Sequence, residues 1–290
     1  MPWKKHQLRL VKEEEAEGET SRIYMEVKQL LGLPTVNKVF QTLASYPRFF
    51  AVFWEAAQPM LRTNEFFSAA DRLGAEAYTR VHNYFSVPDL RFKVEEMHYS
   101  SGAQEELRAE TELYHYNYPV LLLLCAALME AFENPAIEPR SQATPALRRE
   151  IPRRPILVEE ERAPAPTRRI YEDVKRTLGA PFLNTCYLTF GRWPDFLREY
   201  WNALKPVIIG PLYEQHRQAI QESALSLAAE LPEPLQLSQH EMAETGVRES
   251  EIAAIVQFTD SFIHLLSKQT LNLAFAKIGL EGGVRSTAAA

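Results

Sequence analysis

Apolar residues recur at helical spacing through most of the chain. Ile23, Val27, Leu30 and Leu31 follow i, i+4, i+7, i+8, with Thr20 or Ser21 placed to cap the first turn and Gly32 then Pro34 placed to stop it. A second stripe, Val36, Val39, Phe40 and Leu43, begins directly after Pro34. Both patterns return later. Thr167, Ile170, Val174, Leu178, Gly179 and Pro181 repeat the first, and Leu183, Cys186, Tyr187 and Phe190 repeat the second, which puts Cys186 on the inward face. Further helical periodicity runs through residues 64–85, 103–132, 210–231 and 249–278, and no run carries the period of a strand. The pattern predicts an all-α fold.

The recurrence is a duplication. At an offset of 147, residues 20–61 and 167–208 agree at 16 of 42 positions, where unrelated sequences agree at roughly two or three. The pairs include Arg22/Arg169, Tyr24/Tyr171, Lys28/Lys175, Gly32/Gly179, Pro34/Pro181, Asn37/Asn184, Pro47/Pro194, Trp54/Trp201 and Pro59/Pro206. Farther on, Gly102/Gly246, Glu105/Glu249, Tyr118/Phe262 and Leu121/Leu265 extend the echo at an offset of 144. A period this long denotes two whole helical modules and not a solenoid. The expected layout is a flexible N-terminus at 1–19, a helical repeat at 20–133, a linker at 134–166, a second repeat at 167–280 and a flexible tail at 281–290. The linker holds seven of the 19 prolines, a density that forbids a regular helix and leaves an extended tether. Two similar halves are expected to pack as an intrachain pseudo-dimer, with a shared cleft as the natural place for a ligand. Trp54 and Trp201, identical in both halves, read as core anchors.

Composition narrows the function. The net charge of −6, with no basic run interleaved with aromatics, gives nucleic acid no footing. The most apolar run, Val120–Met129, is well short of the roughly 20 residues of a membrane span. The first 20 residues lack the apolar core of a signal peptide, and the two cysteines, Cys125 and Cys186, form neither a disulfide framework nor a metal site. A cytoplasmic protein, monomer or homodimer, is expected. No phosphate loop, dinucleotide fingerprint, nucleophile elbow or zincin motif occurs.

The doubled pattern Asn-x-x-aromatic followed by Tyr/Trp-Pro-x-Phe, split by a proline-rich linker, resembles the group I (DehI-type) 2-haloacid dehalogenases. The likeness covers nearly the whole chain, through "GETSRIYMEVKQLLGLPTVNKVFQTLASYPRFFAVFWEA", "SAADRLGAEAYTRV", "YHYNYPVLLLL" and "APFLNTCYLTFGRWPDFL". It implies an all-helical pseudo-dimer and hydrolytic removal of halide from a small 2-halocarboxylic acid, with no metal or cofactor. In that family an aspartate near the start of the second repeat's proline-bounded helix is taken as general base, and an asparagine from the first repeat positions the water. Where the family's Ser-Asp pair would fall, this chain reads Thr185-Cys186, and Asn117 in "YNYP" stands two residues before Pro119. Thr35 and Lys38 occupy the first-repeat positions where the family places Trp and Phe near the substrate.

Each candidate has two readings. Cys186 is a nucleophile if its pKa is depressed, or a small buried core residue opposite Val39 in the repeat. Lys38 holds a substrate carboxylate, or is solvated beside the apolar stripe. Asn37 and Asn184 bind ligand or water, or tie the start of their helices to the backbone. Tyr116 and Tyr118, in the cluster Tyr114–Tyr118 expected at the entry to an apolar helix, line a small-acid pocket or simply pack. Asp260 is a relocated acid if buried, or an exposed residue of a polar face. Two functions therefore stand open: a 2-haloacid dehalogenase working through Cys186 or a relocated acid such as Asp260, or an inactive relative that binds a small carboxylate. A peroxidase-like redox reading needs a C-x-x-C pair, and each cysteine here stands alone.

Overall fold

The computed structural model describes residues 9–134, 143–146, 150–237 and 239–285. Those residues form helices, with one long connection between residues 133 and 165, and their only β pairing is two isolated bridges. Helices α1 (Gly18–Leu31), α2 (Lys38–Leu43), α3 (Pro47–Leu61), α4 (Asn64–Tyr84), α5 (Leu90–Glu96) and α6 (Ser101–Glu133) come first. Helices α7 (Ala165–Leu178), α8 (Thr185–Phe190), α9 (Pro194–Ile209), α10 (Pro211–Ala229), α11 (Gln239–Glu244) and α12 (Glu249–Glu281) follow in the same order of long and short. No helix among the described residues is long and apolar enough to cross a membrane.

The helix ends follow the local chemistry. Gly32 and Gly179 close α1 and α7 in the left-handed conformation, at φ 65° and 69°, which a side chain would strain. Pro47 and Pro194 open α3 and α9 at positions where the missing N–H costs nothing. The inward stripes bury Ile23, Tyr24, Val27 and Leu31 in α1, and Tyr171, Val174 and Leu178 in α7.

Several contacts recur 147 residues apart. The Tyr24 hydroxyl donates to the Val11 carbonyl at 2.7 Å, and Tyr171 donates to Val158 at 3.0 Å. Lys28 pairs with Glu13, and Lys175 with Glu160. Trp54 and Trp201 are buried, and each indole N–H reaches a carboxylate, Glu26 at 2.6 Å and Asp173 at 2.8 Å.

Residues 1–8, 135–142, 147–149 and 286–290 of the expected flexible ends and linker lie outside the described residues. Their described parts are held. Residues 13–15 form a 3-10 turn, and the Val11 amide donates to Gln41. In the linker, Thr63 bridges to Pro145 and the Val158 amide donates to Leu188, while Val284 of the tail bridges to Val87.

The chain divides into two compact units that do not coincide with the sequence repeats. The first takes the described residues of Met1–Asp71, Val120–Arg154 and Glu222–His264. The second takes those of Arg72–Pro119, Pro155–Gln221 and Leu265–Ala290. Each unit thus mixes segments of both repeats, and the divisions fall inside α4, α6, α10 and α12 and, between Arg154 and Pro155, in the linker. Aromatic rings fill both cores. In the first, Tyr24 meets Phe50 edge-on, Phe40 meets Trp54, and Phe49 stacks between Phe53 and Phe132. In the second, Tyr187 meets Trp201 and Phe190 meets Phe196 and Tyr200.

Pro119 differs from expectation. It lies in the interior of α6, not near a helix start. The missing N–H of Pro119 removes the in-helix donor for the His115 carbonyl. Flanking apolar packing carries the helix through, since Tyr118, Val120, Leu121, Leu122 and Leu123 are all fully buried. Helices α6 and α12 also begin and end 148 residues apart, so the later echo keeps nearly the offset of the first and not the 144 read from scattered matches.

Candidate functional site

Within the second unit, polar side chains gather where apolar ones would be expected. Cys186 is wholly buried on α8, one residue past the helix start. The Tyr118 hydroxyl accepts from the Cys186 backbone N–H at 3.5 Å. The Cys186 thiol donates to Oε1 of Gln269, from α12, at 3.7 Å. The other end of that amide, Nε2, donates to Asn184 Oδ1 at 3.4 Å. One helical turn onward, Tyr114 and Thr189 share a hydroxyl hydrogen bond of 2.7 Å. Below this layer the Asn272 amide donates to the Tyr187 hydroxyl at 3.2 Å and accepts from Tyr213 at 2.7 Å, while Tyr200 donates to the Asn272 carbonyl at 2.9 Å. Gln269, Thr270 and Asn272 have no exposure at all.

The elements explain this convergence. Tyr114 and Tyr118 stand four residues apart on α6, hence on one face, and their rings stack at 6.0 Å. Gln269 and Asn272 are three apart on α12 and so also share a face. These two faces enclose α8, so residues of both sequence repeats meet around Cys186. Asn117, three residues from Tyr114 on the same face of α6, is buried, and its Oδ1 accepts no hydrogen bond among the described residues. A buried carbonyl oxygen left so costs free energy unless water or a ligand supplies the donor.

Burial dominates the electrostatics. It pushes the Cys186 thiol up to about 12, against a smaller opposing effect of the Tyr118 hydroxyl and nearby backbone N–H groups. Burial likewise holds Tyr114 and Tyr118 well above the ordinary tyrosine range. The site is therefore neutral at pH 7, a set of hydroxyls, amides and a thiol around α8. These groups bond chiefly to one another, with Asn117 Oδ1 open to a donor, and any chemistry at Cys186 first requires its proton to leave.

The sequence candidates divide between the units. Cys186, Thr185, Asn184, Asn117, Tyr116 and Tyr118 lie in the second, Thr185 and Tyr116 half-buried and the others buried. Thr35, Asn37, Lys38 and Asp260 lie in the first. There Asn37 caps α2, accepting from the Val39 N–H at 3.1 Å, and Lys38 is half-buried at the first position of that helix. Asp260 is exposed, not buried in its apolar surroundings. An open groove of about 380 Å³ in the first unit, lined by Val52, Glu55, Pro59, Glu233, Gln236 and Thr245, contains none of the candidates. Among the described residues no three His, Cys, Asp or Glu gather as metal ligands.

Sequence reasoning missed Gln269, Asn272, Tyr187 and Tyr213. A partial signal was present: in "LLSKQTLNLAFA", Gln269 and Asn272 are polar and three apart on one helix face, and Asn272 stands between two leucines.

The family model described as halocarboxylic acid dehydrogenase DehI matches residues 34–187. A protein of Pseudomonas putida named (R)-2-haloacid dehalogenase is 30% identical over 276 residues, covering 93% of this chain and 92% of its own. One of Rhizobium sp. (strain NHG3) with the same name is 31% identical over 232 residues, covering 79% of this chain and 90% of its own. Among solved structures, a D-2-haloacid dehalogenase in complex with L-LA and a mutant in complex with D-2-CPA each superpose with a TM-score of 0.89 at 28% identity. Each covers 95% of this chain and 97% of its own.

Proposed function

The chain belongs to the halocarboxylic acid dehydrogenase DehI family, and from that premise we propose that it binds a small 2-halocarboxylic acid beside Cys186 and displaces the halide with water. The observation that carries this reading is the buried polar set closing on Cys186, at the position where the resemblance implies the family's base. The recurring contacts at an offset of 147 support the accompanying reading of the chain as two homologous repeats fused into an intrachain pseudo-dimer. Similarity to (R)-2-haloacid dehalogenases supports the substrate class.

Hydrolysis needs a base to take a proton from water as its oxygen attacks Cα and the halide departs with the bonding pair. An aspartate is already ionised at pH 7. A thiol near 12 is ionised in roughly one molecule in 10⁵ there. Direct attack by sulfur ends differently: a C–S bond forms, the C–X bond breaks, halide and a proton leave, and water does not open the resulting thioether. Only the base role gives turnover, and its rate must follow the thiolate.

Halide release from both enantiomers of 2-chloropropionate tests this. For the unaltered protein the rate is expected to rise about tenfold per pH unit between pH 6 and 9. In Cys186→Asp it should be flat across that range and, at pH 7, greater by about 10³ or more. Halide release by neither protein, with either enantiomer at any pH, would sink the proposal. The neutral, fully buried thiol favours one second reading, an acid-binding protein without turnover. Saturable binding of 2-chloropropionate by an inactive unaltered protein, with activity in Cys186→Asp, selects it.

A further inference from the structure

The two repeats carry the same asparagine at the same place and use it differently. Asn37 caps its helix, accepting from the Val39 N–H. Asn184, its equivalent 147 residues on, makes no capping bond with its side chain. Its Oδ1 instead accepts from Gln269 Nε2, and the far end of the same amide accepts from the Cys186 thiol. Asn184 has thus left the role its sequence context favours, and its partner Gln269 is a wholly buried amide.

From this asymmetry the structure assigns Gln269 as the positioning residue for position 186, a role that rests on the functional reading above. Asn184 holds the nitrogen end of the amide, the Tyr187 hydroxyl also bonds to it, and the amide oxygen faces residue 186. An oxygen there accepts from a thiol and keeps it protonated. It repels a carboxylate, which draws the Nε2 end round to donate to it. The orientation of one buried amide therefore follows the chemistry at 186. Gln269 touches no substrate atom in this scheme and acts through the residue it orients.

The S–H stretching band of the intact protein reads this directly, because the protein holds only two cysteines. Cys125 is buried with desolvation alone acting on it and serves as the reference. Cys186→Ser assigns the bands. Expected is a Cys186 band at lower frequency than that of Cys125, moving to the Cys125 position in Gln269→Met and staying low in Gln269→Glu, which keeps an acceptor oxygen. Coincident bands in the unaltered protein overturn the proposal whether or not either substitution folds. So does a Cys186 band that Gln269→Met leaves in place. A second readout comes from the Cys186→Asp background, where Gln269→Met should raise the apparent pKa on the acid side of the halide-release profile, because the carboxylate loses its donor. A folded double variant with an unmoved profile counts equally against the role. The band test involves no turnover, so its failure and failure of the dehalogenase reading are separate results.

Discussion

A thiol on the inward stripe of α8 can be reactive or inert, and its surroundings decide which. Thiolates are nucleophiles where cations or helix N-termini lower their pKa. Around Cys186 stand the Tyr118 hydroxyl and the Gln269 amide, with no charged side chain bonded to sulfur among the described residues. Burial then wins and the thiol stays protonated. Compared with a free cysteine near 8.5, a group near 12 has roughly three orders of magnitude less thiolate at pH 7.5. Native protein treated with iodoacetamide at that pH should therefore carry no label on Cys186 or Cys125 in the time unfolded protein labels both, as peptide mass spectrometry would record. Rapid labelling of Cys186 alone would contradict the neutral thiol. The stripe placed Cys186 inside the core from sequence alone, since position on a helix face needs only local spacing. What bonds to its sulfur comes from α6 and α12, distant in sequence, and spacing within α8 carries no trace of them.

At the scale of the element, the paired asparagines give a controlled comparison. A cap is replaceable by any short acceptor, and serine caps about as well as asparagine. Asn37→Ser should leave the urea midpoint nearly unchanged, whereas Asn37→Ala should cost about 1 kcal/mol. At Asn184 serine is too short to reach Gln269 Nε2, so Asn184→Ser and Asn184→Ala should lose alike, about 1–3 kcal/mol for a buried donor without a partner. Tolerance of serine at both positions would mean that Asn184 caps after all. A neighbouring element tests packing. A Cβ at Gly191 would stand 2.0 Å from the Tyr171 hydroxyl. That hydroxyl donates to Val158 and ties the linker to α7, so Gly191→Ala should destabilise by roughly 1–3 kcal/mol. Full stability in that variant would show that Tyr171 can move freely. The helix stops at Gly32 and Gly179 and the tie at Asn37 were legible because they act within one or two turns; the start of α1 was not, since the helix opens at Gly18, ahead of the expected caps Thr20 and Ser21. The long helices were less legible: proline chemistry suggested a helix start at Pro119, but the apolar packing on both sides outweighs one missing hydrogen bond. The offset of 144 came from isolated matches in helices whose apolar residues align equally well at several registers.

Over the whole molecule, matching residues 147 positions apart were plain in the sequence, and the compact units were not. Identity between repeats records ancestry, whereas compactness records which stripes meet, and here α6 and α12 each run from one unit into the other. The same distribution of buried groups sets the response to acid, through two kinds of site. His216 accepts from Arg80 on its Nδ1 at 3.4 Å as a neutral ring, and burial and that arginine lower its pKa; burial lowers His115 as well. Below their ordinary value of 6.5 the unfolded chain takes up protons that these folded rings refuse, so stability declines as pH falls from there toward the folded values. Glu13, Glu26 and Asp173 add to this lower down. Trp54 and Arg22 hold Glu26 below its ordinary range; burial opposes but does not cancel the pull of Lys28 on Glu13 and of Lys205 and Trp201 on Asp173. Their stabilisation is complete above the ordinary values of 4.5 and 3.8 and is lost as pH falls through the lowered ones. The urea midpoint should thus be level between about pH 7 and 8, slope downward below about 6.5, and fall more steeply below about 4.5. His216→Asn, whose Oδ1 replaces the Nδ1 acceptor without titrating, should shrink the difference in midpoint between pH 7.5 and 5.5 and leave the lower step intact. A midpoint that rises on acidification, or an upper slope unchanged by the substitution, would contradict the assignment of that step to the buried imidazole.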